Sequence, residues 1–124
     1  MNTPPYCAVT AYHHDLTLDQ GSTFGIPFEF YDAGNRPINF SGFTARMQVR
    51  RTPTSEIVID ELTSTDKDPR ITFASNVMTL TWTKDETERI KPGRYFYDVE
   101  ITAPNGSVSR LLEGAFIIRR EVTR

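Results

Sequence analysis

The chain has 124 residues, 38% of them hydrophobic, and a formal net charge of −2 at pH 7. That length suits one domain around a single core, and the lack of a basic excess argues against nucleic acid, whose phosphates attract clustered cations. The apolar runs are too short to cross a bilayer, so no membrane partner is expected.

A single cysteine, Cys7, cannot close an internal disulfide. Residues 1–5 have neither the basic start nor the apolar centre of a signal peptide, so a reducing cytosol is the expected setting. Residues 1–14 mix prolines and aromatics with neither a helix nor a strand period and read as an N-terminal extension, ordered only if something holds it. Leu16 and Leu18 then alternate with Thr17 and Asp19 as a short strand. After the turn at Gln20-Gly21-Ser22, Phe24, Ile26, Phe28 and Phe30 share one parity, as a half-buried strand requires. Pro27 sits on the other parity and argues for an edge position or a local break in pairing. Asp32 to Pro37 is loop chemistry, and Ile38 to Gly42 is a short apolar link. Phe43, Ala45, Met47 and Val49 form the core face of a third strand with basic Arg46 and Arg50 outside.

The β-branched run Ile57-Val58-Ile59 within residues 56–62 has no assignable buried parity. Ile71 to Phe73 and Val77 to Thr83 read as a hairpin across Ala74-Ser75-Asn76, with Met78, Leu80 and Trp82 facing the core. Thr83-Lys84-Asp85-Glu86 carries a threonine N-cap with glutamate three residues later, so a short helical turn starts there and stops before Pro92-Gly93. The final third of the chain is a long hairpin. Tyr95, Tyr97, Val99 and Ile101 alternate with Arg94, Phe96, Asp98 and Glu100, Pro104-Asn105-Gly106 turns the chain, and Val108 to Ile118 returns. Leu111 and Ile117 break the parity of the return strand, and Gly114 lies inside it, so a register shift is expected near Glu113.

About seven or eight short strands, with frequent turns and one helical turn, predict an all-β, immunoglobulin-like antiparallel sandwich. The domain is expected over residues 15–122, with 123–124 as a tail. Tyr95 stands where such a sandwich places its corner tyrosine, and Tyr97 where the second cysteine would be; ordinary strand aromatics are the alternative. No inter-sheet disulfide is possible.

The inventory for chemistry is thin. His13-His14-Asp15 suggests a metal cluster, but neighbours in an extended chain point to opposite faces, and there is no third histidine. Cys7 has no neighbouring base. Asp60-Glu61 and Asp66-Lys67-Asp68 lack the spacing of a calcium loop and read as solvated carboxylates. Arg46, Arg50, Arg51, Arg94, Arg110, Arg119 and Arg120 could line one basic face, although Asp98 and Glu100 share the parity of Arg94 and offer cross-strand pairing. Tyr95, Tyr97 and Trp82 could stack on sugar, but their parities assign them to the core. The expectation is a protein with no enzymatic activity, no catalytic or metal site, no cofactor and no small-molecule substrate.

The segments 16–24, 43–50, 93–100 and Leu111-Leu112-Glu113-Gly114 together resemble the small immunoglobulin-like virion proteins of tailed bacteriophages, and in particular the N-terminal domain of phage baseplate upper proteins. The resemblance covers residues 15–122 and lies in strand order and chemistry. It implies a structural component of the virion, assembled in the host cytoplasm, placed in the tail or baseplate and bridging other virion proteins or further copies of itself. Longer baseplate proteins have a second, receptor-binding domain for which this chain has no room. The candidate partner contacts are Tyr6, Val9 and Tyr12 on the N-terminal arm and Arg119 and Arg120 at the other end. The alternative is a carbohydrate-binding or adhesive sandwich, which would need exposed loop aromatics; only Tyr31, Phe40 and Phe43 lie near loops.

Overall fold

A computed structural model of the chain describes residues 11–122. Its strands are β1 (Tyr12–His13), β2 (Leu16–Asp19), β3 (Phe24–Glu29), β4 (Thr44–Arg50), β5 (Asp60–Thr63), β6 (Ile71–Ala74), β7 (Val77–Trp82), β8 (Gly93–Thr102) and β9 (Val108–Arg119), with one helix, α1 (Lys84–Glu88), between β7 and β8. The larger sheet runs β5-β4-β8-β9, with β1 and β2 both on the far side of β9; the smaller is β3-β7-β6. The two pack as an immunoglobulin-like β-sandwich, the fold that the alternating parities predict.

The core is where those parities meet. Met47 and Val49 of β4, Met78, Leu80 and Trp82 of β7, and Val99 and Ile101 of β8 are fully buried. Immunoglobulin domains place a disulfide between their sheets. Here Trp82 of the small sheet lies 5.7 Å, ring centre to ring centre, from Phe116 of the large one, and Tyr97 packs on Phe116 at 6.5 Å. Aromatic contact takes the place of the cross-link. Tyr95 is the corner tyrosine: its hydroxyl donates to Lys91 O at 2.6 Å, four residues upstream, and the Arg51 guanidinium sits 4.9 Å over its ring. Helix α1 carries the full capping box, with Glu86 N donating to Thr83 Oγ1 and Thr83 N to Glu86 Oε1.

Beside the helix, Arg70 ties the open end of the sandwich together. It forks onto Asp60 at 2.9 and 3.0 Å, its Nε lies 2.9 Å from Glu86 Oε2 without hydrogen-bond alignment, and Trp82 Nε1 donates to Asp60 at 3.1 Å. Asp60 and Glu61 are therefore strand residues of β5, and Asp60 is structural.

Several details differ from the sequence expectation. The strands are not all antiparallel: β1 and β2 run parallel to β9. Residues 12–14, read as part of an extension, belong to the sheet; His14 N donates to Glu113 O at 2.9 Å, and Tyr97 Oη donates to His14 O. The register shift falls between Val99 and Glu100, opposite Leu112 and Arg110, so Leu111 is the inserted residue. This bulge lets Leu111 and Leu112 both turn inward, at 3% and 2% exposure. Gly114 serves a different purpose, because a Cβ there would meet the carbonyl of His14. The run 56–59 is not strand, and Ile57 is 70% exposed.

Candidate partner-binding face

The outward parity of β4, β8 and β9 builds a groove of about 550 Å³. Register fixes its rows. Phe96 lies opposite Arg50 on one side and Ala115 on the other; Asp98 lies opposite Gln48 and Glu113; Glu100 lies opposite Arg46 and Arg110. Arg94 stands beyond Phe96, and His13 and Asp15 close the β1 end.

Asp98 and Glu113 are like charges directly across the ladder, a costly placement unless compensated. Arg110 compensates both, at 3.3 Å from Asp98 and 3.1 Å from Glu113. Even so, burial raises the Asp98 pKa above its ordinary value; Arg110 and Arg50 act against that rise, and Glu100 and Glu113 add to it. The Ala115 N–H, at 2.9 Å, is the main cause that holds the Asp15 carboxyl below the usual range, with His13 and Arg94 contributing. Arg50 donates only to neutral groups, Ser55 O and Gln48 Oε1, and Gln48 in turn donates to Glu61. Among the described residues, Arg46, Arg50 and Arg94 take part in no ion pair.

The basic face expected from the sequence is thus divided. Arg46, Arg50, Arg94 and Arg110 share the groove, Arg51 covers Tyr95, and Arg119 is held by Asp19 at 2.6 Å. Arg120 is exposed at the end of β9. Tyr12 is 48% exposed with its ring 5.9 Å from that of Phe30, whereas Tyr6 and Val9 lie outside the described residues. His13 and His14 do point apart, His13 to Asp15 at 3.1 Å and His14 edge-on to Phe28. The described residues hold no group of three or more His, Cys, Asp or Glu side chains fit for a metal ion. Trp82, Tyr95 and Tyr97 are buried, so they offer sugar no stacking surface, and of the loop aromatics Phe40 is buried while Tyr31 is 41% exposed.

Phe96 is the residue that the sequence reading passed over. Its signal was present: a large apolar side chain on the polar parity of β8, 38% exposed in the fold. Arginines around an exposed aromatic are the composition of protein contact surfaces, and guanidinium groups bind carboxylates through paired, charge-assisted hydrogen bonds.

No family model matches the chain, and no curated protein matches its sequence.

Proposed function

We propose that the chain is a non-enzymatic structural component of a tailed-phage particle, a tail or baseplate piece that bridges neighbouring virion proteins. The strand-by-strand resemblance to small phage virion proteins supports the placement. The single observation that carries a bridging role is the groove on the large sheet, where Phe96 and three arginines that make no ion pair among the described residues line one face.

The test is the protein content of purified particles. Mass spectrometry should find the chain in virions at a fixed ratio to known tail proteins; its presence in infected lysate and absence from particles would remove the proposal. A second test removes the arm. The cut belongs after residue 10, because Tyr12 and His13 pair with β9 and His14 accepts from Tyr97. That variant should stay folded yet enter particles poorly, and light scattering with and without the arm reports any self-association.

A further inference from the structure

We infer that the occupant of the groove is an extended, acidic polypeptide segment of a partner protein, laid along the strand direction over Arg46, Arg50 and Arg94. This deepens the assembly reading and rests on it. The sign of the partner follows from which charges are already engaged. Asp98 and Glu113 are held by Arg110, and Asp15 is held by the Ala115 N–H and His13. Glu100 is the one groove carboxylate left without an ion pair among the described residues, against three such arginines. An incoming carboxylate gains at three places and is opposed at one.

The shape of the partner follows from register. Arg46 is level with Glu100, Arg50 with Phe96, and Arg94 lies two residues past Phe96 on β8. At about 3.3 Å per residue, Arg50 lies roughly 13 Å and Arg94 roughly 20 Å along the sheet from Arg46. Side chains on one side of an extended chain recur every second residue, so carboxylates four and six positions after the first would meet the second and third arginines. Phe96 provides an apolar contact between the charged ones. A polyphosphate backbone fits less well, because Asp98, Glu100 and Glu113 share the floor.

Fluorescence anisotropy on the full chain tests this, with a labelled peptide of roughly twelve residues alternating Glu and Thr and the matching Lys peptide as control. The Glu peptide should bind, weaken as salt rises, and bind roughly tenfold or more weakly to the Arg46→Glu/Arg94→Glu variant. Both arginines are exposed, so that variant should fold, with buried Trp82 as the fluorescent check. Equal binding of the Lys peptide, equal binding to the variant, or tighter binding of single-stranded DNA would overturn the inference. A wild-type dimer that the variant dissolves would also overturn it, giving the face to a second copy. Normal particle entry by the variant removes this inference and leaves the assembly reading standing; specific peptide binding by a chain absent from particles does the reverse.

Discussion

At the scale of residues, the positions that matter most are those where two backbones nearly touch. Gly114 lets the chain at His14 lie against β9, and Tyr97 reaches the same carbonyl from the core side. A methyl group at Gly114 has backbone, not a pliable side chain, in its way. Gly114→Ala should therefore cost about 2 kcal/mol of stability, read as a lowered denaturant midpoint at unchanged slope, and should speed hydrogen exchange at His14. Asp98 makes a different prediction. Its folded pKa is raised from the ordinary 3.8, chiefly by burial, so the folded state binds its proton more tightly than the unfolded chain does. Stability from this group is complete below the unfolded value and declines as pH rises through the folded one. Asp98→Asn, which stays neutral, should match the wild type near pH 3 and be the more stable protein at neutral pH; denaturation at the two pH values checks the sign.

At the scale of elements, parity revealed β2, β3, β4, β7 and β8 and the side that each buries, but neither β1 nor β5. The capping box at Thr83 marked α1, and Tyr95 announced the corner, because both are set within a few residues. The β-branched run 57–59 carries no readable parity, and the ladder with β4 begins only at Asp60, with Ile59 N donating to Val49 O at its threshold. The bulge was legible close to where it falls: Leu111, whose parity is broken, is the extra residue, while Gly114 answers to the close approach of His14. Of the two readings of Pro27, an edge strand or a break in pairing, the structure shows the edge, with the register unbroken at Pro27 and Thr79. Among the described residues β3 pairs only with β7, and Phe24, Ile26 and Phe28 are only half-buried. A proline in such a strand interrupts any template for a further chain. Pro27→Thr should restore the amide and produce concentration-dependent growth in mass by light scattering, at concentrations where the wild type shows none.

At the scale of the whole molecule, the sandwich was legible and its closure was not. Nothing in the alternation of residues 16–19 says that the partner lies a hundred residues on, or that the pairing is parallel. The groove was half legible. Outward parity named Arg46, Arg50 and Arg94, whereas Arg110 shares the apolar parity of Leu112 and Phe116 and reaches the outer face only because the bulge at Leu111 turns it; which of the four find a carboxylate depends on side-chain reach across strands. Removing residues 108–124 should abolish the cooperative thermal transition seen by circular dichroism, because β1, β2 and β8 all lose β9; a retained transition would contradict this account. Deleting residues 1–10 should leave the transition intact.

The parallel seam between the first strands and the last also dictates a timetable. A ribosome extends the chain from the amino end, so β2 waits unpaired while β3 to β8 are made, until Arg119 has cleared the exit tunnel. The contacts that close the large sheet span nearly the full chain, and such closures come late and slowly. During that interval the apolar side of β2, Leu16 and Leu18, stands uncovered in the most crowded part of the cell. Emergence of β9, and not any local signal, is what shuts this domain.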